Sequence, residues 1–184
     1  MVVVMPRWSF PVAVVLAVVT FVGCSSSSST QSARTTATVS KPAGKNPSVS
    51  SKMVCDAEAQ AEMAQSLGVT AQVSTPTWVN HVYTCQYQYP NASFTLSVKE
   101  MSSTAETTAY YDRLGAQLGR RPDRIALGQG AFLTTNGSLV VRKNYKVMLV
   151  DVTQLPDQFG QPPLARSDVA ISVAAVIMTC WRDA

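Results

Sequence analysis

The spacing of apolar positions changes several times along the chain, and each change predicts a different element. Phe10 to Val22 is an almost unbroken apolar run, interrupted by Pro11 and Thr20. Ser25 to Lys52 has no periodic apolar face. From Asp56 to Leu67 the apolar residues Ala57, Ala61, Ala64 and Leu67 recur at helical spacing, with Asp56 as a candidate N-cap and Gly68 as a left-handed C-cap. Val79 to Tyr89 alternates, with Val79, His81, Tyr83, Cys85, Tyr87 and Tyr89 on one side and Asn80, Thr84, Gln86 and Gln88 on the other, which predicts a strand. Pro90-Asn91 turns the chain into a partner strand with Phe94, Leu96 and Val98 facing inward.

Ser103-Thr104-Ala105-Glu106 has the form of a capping box. The helix after it presents Tyr110, Leu114 and Leu118 and ends at Gly119, with Pro122 preventing continuation. Three short strands follow. Ala131–Thr134 leads into Asn136-Gly137, which predicts a type I′ hairpin, and then Leu139–Arg142. A second turn at Lys143-Asn144 precedes Val147–Val152. A loop from Pro156 to Pro163 leads to the last helix, capped by Ser167 or Asp168, with Val169, Val173, Val176, Ile177 and Cys180 on its core side. The order helix, two strands, helix, three strands, helix predicts one α+β domain. Its single antiparallel sheet of about five strands has three helices packed on one face.

The ends of these elements divide the chain. Residues 1–23 have the form of an export signal, with Arg7 as a sparse positive region and Met5 as a second possible start. The apolar run is shorter than the roughly 20 residues of a membrane span. Phe21-Val22-Gly23-Cys24 resembles the lipobox of bacterial lipoproteins, in which the cysteine takes a lipid and the chain is cut before it. Phe21 stands where that family usually has Leu. Residues 24–52 are expected to form a disordered Ser/Thr-rich tether behind a lipidated Cys24, with an extended reach of about 90 Å. Residues 53–184 are expected to form the domain.

Charge sharpens this division. The chain carries a net +4. From Ser25 to Lys52 there are four basic residues and no acid, whereas from Met53 onward ten Lys or Arg face eleven Asp or Glu. A nearly neutral domain argues against nucleic-acid binding, which needs a clustered basic face. A basic tether suits an anionic membrane surface. The expected location is the extracytoplasmic face of the cell membrane.

In that oxidising compartment Cys55, Cys85 and Cys180 allow one disulfide. Cys55–Cys85 is favoured and Cys55–Cys180 is its competitor. The default reading of Cys180 is a buried thiol behaving as a small hydrophobe. No CxxC is present to support a redox dithiol or zinc.

The lipobox, the Ser/Thr linker, Cys55 opening a helix, Thr84-Cys85-Gln86-Tyr87 and Gly128-Gln129-Gly130-Ala131 running into Leu139-Val140-Val141-Arg142-Lys143 together resemble a group of secreted actinobacterial lipoproteins. These carry a domain of unknown function of the 3558 type. The likeness covers about residues 20–180. Tyr87 departs from the family's usual Trp, and Cys180 is not expected from it. The resemblance implies an envelope location and a Cys55–Cys85 bridge, and it implies no activity.

Candidate chemistry is sparse. His81, the single histidine, is read as a structural residue on its strand face rather than a catalytic base. No metal-ligand cluster and no cofactor motif is present, so no cofactor is expected. Gly128-x-Gly130 reads as a close turn. Arg120, Arg121 and Arg124 are possible contacts for an anion. Tyr83, Tyr87, Tyr89 and Tyr110 are read as packing residues rather than a ligand groove. The resulting expectation is a membrane-anchored, non-enzymatic binding or interaction module for an envelope protein, glycan or lipid. The alternative is a regulatory or structural accessory of another envelope protein. A hydrolase centred on His81 ranks behind both.

Overall fold

The computed structural model of the chain describes residues 42–181, all within one compact unit. The expectations for the signal segment, for Cys24 and for residues 25–41 lie outside the described residues. The elements are α1 (Val49–Lys52), α2 (Ala57–Leu67), β1 (Gln72–Val73), β2 (Thr77–Val79), β3 (Val82–Tyr89), β4 (Ala92–Glu100), α3 (Thr104–Leu118), β5 (Gly130–Leu133), β6 (Leu139–Lys143), β7 (Lys146–Asp151), β8 (Gln158–Phe159), β9 (Leu164–Ala165) and α4 (Arg166–Cys180). The α+β class holds. Among the described residues there are four α-helices rather than three, with a 3-10 turn at Met53–Cys55, and seven strands in the main sheet rather than five.

The main sheet runs β1-β3-β4-β7-β6-β5, with β2 also paired to β3, and every pairing is antiparallel. β8 and β9 form a separate two-stranded ribbon inside the Pro-rich loop. The hairpin β3–β4 keeps the predicted alternation: Cys85 pairs with Leu96 and Tyr87 with Phe94 on one sheet face. That face also carries Val98, Met148, Val150, Leu139 and Val141, all buried under α2 and α4. Complete burial of one such aliphatic side chain contributes roughly 1.5–3 kcal/mol.

The helices do not share one face. Tyr111, Phe132, Val140, Val147 and Met101 form a second core on the opposite side, with Tyr110, Leu114 and Leu118 of α3 packed against it. The sheet is therefore sandwiched where β5, β6 and β7 lie. The cause is legible in β6: Leu139, Val140 and Val141 are three consecutive apolar residues, all 1% exposed or less. A strand with such a run has no solvent side. Over β3 and β4 the second face carries Thr84, Gln86, Ser93, Thr95 and Ser97, which stay half-buried without a helix above them.

Local chemistry explains most helix ends. The Asp56 side chain accepts a hydrogen bond from the Ala59 N–H, as an N-cap should. Gly68 closes α2 at φ 67°, where an added Cβ would stand 2.1 Å from the Gln161 carbonyl oxygen. Ser103 caps α3 through the Glu106 N–H, while the Glu106 carboxylate accepts from Ser102 N–H, so the box is displaced by one residue. α4 starts at Arg166, after Ala165. Neither Ser167 nor Asp168 caps it, and Asp168 sits in its first turn.

Three turns correct the sequence reading. Asn136-Gly137 is not a two-residue turn: Leu133 pairs with Leu139, and the loop between closes through Thr134 N–H to the Ser138 carbonyl. Tight two-residue turns with left-handed residues are instead Asn80-His81, at φ 52° and 61° between β2 and β3, and Asn144-Tyr145, with Asn144 at φ 53° between β6 and β7, one residue on from the expected Lys143-Asn144. Asn tolerates that conformation through its short polar side chain. His81 therefore caps a turn and does not lie on a strand face.

Residues 43–52, expected to belong to the tether, are part of the folded unit. Ala43 N–H bonds the Met101 carbonyl, the Trp78 indole N–H bonds the Lys45 carbonyl, and Ser50 and Ser51 are buried. Glu100 holds this segment: its Oε1 accepts from Ser51 Oγ at 2.5 Å and from Ser48 N–H at 2.8 Å, and the residue is 3% exposed. A buried carboxylate needs such donors, and the Ser51 hydroxyl and the Ser48 main-chain N–H supply them. A Ser/Thr-rich composition looks like a linker until a buried acid elsewhere gives its hydroxyls partners.

Candidate functional site

A recess on the first face lies between α2 and the edge formed by β1 and β3. Ala57, Ala61 and Ala64 of α2 form one wall; Val73, Tyr87 and Tyr89 form the other, and its volume is about 240 Å³. The face α2 buries is Ala59, Met63 and Leu67 rather than the expected Ala57, Ala61, Ala64 and Leu67; Ala57 and Ala61 are exposed and Ala64 half-buried, so the short alanines leave the rim of the recess open. Gln60 and Thr70 supply polar groups at its border. Tyr87 forms the floor. Its ring stacks on Phe94 at 4.7 Å, and its hydroxyl donates to the Val54 carbonyl at 2.7 Å. Tyr89 is half-buried and meets Phe159 edge-on. Burial pushes the Tyr89 phenol up to about 12, and burial also raises Tyr87, with Asp56 adding to it. Both hydroxyls are therefore neutral at physiological pH and can act as hydrogen-bond donors or acceptors.

Beneath this wall the Cys55–Cys85 disulfide joins the turn before α2 to β3, with Cα atoms 6.0 Å apart. This is the favoured pairing, and it leaves Cys180 outside it. Cys180 is buried at 4% exposure as expected, but it is not a free thiol; no described cysteine is free.

The arginines of the loop after α3 do not converge. Arg121 pairs with Asp123 at 2.8 Å. Arg124 is exposed. Arg120 turns away from them, onto the rings of Tyr111 and Phe132, and pairs with Asp112 at 3.2 Å. The guanidinium of Arg142 of β6 lies 5.3 Å from the same Tyr111 ring and donates to Thr108 Oγ1, whereas Arg120 packs against Gly115, seven residues further along α3. Sequence reasoning missed Arg142 because, with Lys143, it ends an otherwise apolar strand. The signal available was that strand itself, since an arginine in a doubly buried strand needs a partner.

His81 is exposed at its turn, with its ring edge-on to Trp78 at 5.6 Å. The shallow groove beside it is lined by Ala43, Gly44, Lys45, Trp78 and Asn80, with no carboxylate or hydroxyl side chain among them. Among the described residues no group of three or more His, Cys, Asp or Glu is placed to hold a metal ion, and no helix is long and apolar enough to cross a membrane. Of the four tyrosines read as packing residues, Tyr87 packs as expected, while Tyr89 lines the recess as well. No protein-family model, no curated protein and no solved structure matches the chain.

Proposed function

We propose that the chain is a lipoprotein held by lipid on Cys24 at the extracytoplasmic face of a cell membrane. Its domain is a non-enzymatic binding module, and the recess under α2 is the seat of an apolar ligand group. The anchoring rests on the Gly23-Cys24 sequence and the apolar run before it. The binding reading is carried by one observation: a concave, alanine-walled recess beside a half-buried tyrosine, next to a disulfide that fixes both of its walls. Ligand sites combine a mostly apolar lining with a few placed polar groups. At about 240 Å³ the recess suits a chain end or a small ring rather than an entire lipid.

Two measurements test the two halves. Cys24→Ala should move the protein from the membrane fraction to the soluble fraction; continued membrane association without cleavage defeats the anchor. The soluble protein should bind Nile red with an emission shift to the blue. Ala64→Phe, which fills the recess, should abolish that shift while leaving the circular dichroism unchanged. Equal dye binding by both proteins removes the recess from consideration. Recovery of one stoichiometric protein with the lipidated chain, and no bound small molecule, favours the accessory reading instead.

A further inference from the structure

The exposed large apolar side chains among the described residues are Val49 and Val79, at 63% and 61%. They lie at the same end of the sheet. Val79 precedes the Asn80-His81 turn, and the His81 carbonyl accepts from the Glu100 N–H at 2.9 Å. The Glu100 carboxylate in turn accepts from the Ser48 N–H at 2.8 Å, one residue before Val49. Trp78 stands beside them, half-buried, with its ring edge-on to His81. Its indole N–H donates to the Lys45 carbonyl at 2.9 Å, so the ring walls the shallow groove that Gly44, Lys45 and Asn80 border. A hairpin tip thus presents a valine and an indole that the core does not take up, and exposed apolar groups gathered in this way mark an interaction site.

The surroundings are basic. Residues 42–55 and 63–99 contain Lys45, Lys52 and Lys99 and no Asp or Glu. Lys45 and Lys52 are exposed, and Lys99 Nζ donates to the Asn80 carbonyl at 2.5 Å, which puts another ammonium at the turn. The acids that approach this end are engaged: Glu100 is buried against Ser51 and Ser48, and Glu106 accepts from the Ser102 N–H. Indole rings are enriched where hydrocarbon meets water, and lysines are drawn to anionic lipid. The chain also enters the folded unit here. Pro42 is the first described residue, and the Ala43 N–H bonds the carbonyl of Met101, the residue after Glu100, at 3.0 Å. A lipid on Cys24 therefore leads this end of the sheet to the bilayer, rather than the far end of β4 about 30 Å away.

We infer that Trp78, Val79, Val49 and the lysines around them form a docking surface for an anionic lipid bilayer, an orientation that rests on the anchoring proposed for Cys24. Val79 and the Trp78 ring enter the headgroup region, the three ammonium groups face the lipid phosphates, and β2 and β3 meet the membrane by their turn.

The test uses the chain purified from its membranes and mixed with vesicles of phosphatidylcholine alone, or of equal parts phosphatidylcholine and phosphatidylglycerol. Flotation reads attachment, and quenching of tryptophan emission by brominated acyl chains reads docking. Trp78 and Trp181 are the tryptophans after Cys24, and Trp181 is 2% exposed, so the quenched emission should belong to Trp78 and vanish in Trp78→Phe. The chain should float with both vesicles and be quenched only in the mixture. Val79→Asp should lower the ratio of docked to undocked chain about tenfold or more, the scale of returning a valine side chain to water. Lys45→Gln should lower it about fivefold, the contribution of one basic residue at an anionic surface. Both positions are exposed, so flotation and circular dichroism should be unchanged. Arg124→Gln, on the loop beside β5 at the other edge of the sheet, should change neither reading. Flotation without quenching, or quenching equal in both vesicles, overturns the docking surface and leaves the anchor standing. Flotation with the mixture alone, abolished by Val79→Asp, keeps the docking surface and overturns the anchor. Flotation with neither overturns both.

Discussion

The Tyr87 hydroxyl donates to the carbonyl of Val54, the residue immediately before the disulfide-bonded Cys55. One strand thus grips the turn ahead of α2 twice, by a covalent bond from Cys85 and by a hydrogen bond from Tyr87 two residues on. Both groups lie in the core, so the carbonyl has no water to replace a lost donor. Tyr87→Phe should lower stability by about 1–3 kcal/mol, the cost of a buried group left unsatisfied. A denaturant melt with unchanged slope would show it; a change under half a kcal/mol means that water reaches the carbonyl.

The disulfide should contribute more. It closes a sequence separation of 30 residues. Chain-entropy reasoning gives about 3–4 kcal/mol for a loop of that size. The paired variant Cys55→Ala with Cys85→Ala should show a loss of that order in the same melt. Peptide mapping without reductant should recover Cys55 linked to Cys85.

Much of this arrangement was legible from alternation alone, because strand parity is local. Tyr83, Cys85, Tyr87 and Tyr89 share one side as expected, and they pair with Val98, Leu96, Phe94 and Ala92 of the partner strand. The same alternation misled just upstream. Val79 and Tyr83 read as one face, yet Val79 pairs with Val82 across the Asn80-His81 turn, which reverses the chain without a glycine to announce it. The second core was hidden for a different reason. Tyr110, Leu114 and Leu118 predicted a buried helix face but not which side of the sheet it meets; only the continuous run Leu139-Val140-Val141 shows that both sides are taken. The contacts of Arg120 and Arg142 with the Tyr111 ring arise only through that packing, whereas Arg121 and Arg124 are neighbours in sequence that the fold does not bring together.

Glu100 should control the segment before α2. Glu100→Ala removes the acceptor for Ser51 Oγ and Ser48 N–H. Residues 43–52 then lose their main tie to β4. Trypsin should cut after Lys45 and Lys52 faster than in the wild type, with the rest of the domain still resistant. Equal cleavage rates would mean that the Ala43 and Trp78 bonds suffice.

Alkali should loosen the fold through the tyrosines of the first face. In the unfolded chain their phenols titrate near the ordinary value of 10, whereas burial holds Tyr89 to about 12 and raises Tyr87 too. The unfolded state therefore loses protons first. Stability is fully present below pH 10 and declines as pH rises through 10 toward 12. Tyrosinate absorbance followed with melting temperature should show late-titrating phenols, and Tyr89→Phe should flatten the decline. A melting temperature independent of pH across that window would contradict the burial of these side chains.

The docking of residues 43–52 changes how the domain meets its surroundings if Cys24 carries the lipid. The length of chain between Cys24 and the folded unit is then about 18 residues instead of about 28, and the greatest distance it could span falls from roughly 90 Å to roughly 60 Å. For a partner fixed in the same membrane, local concentration rises as that length shortens, by about twofold here under the −3/2 power dependence on length. Glu100, far along the chain, thereby sets how close to the bilayer the domain searches.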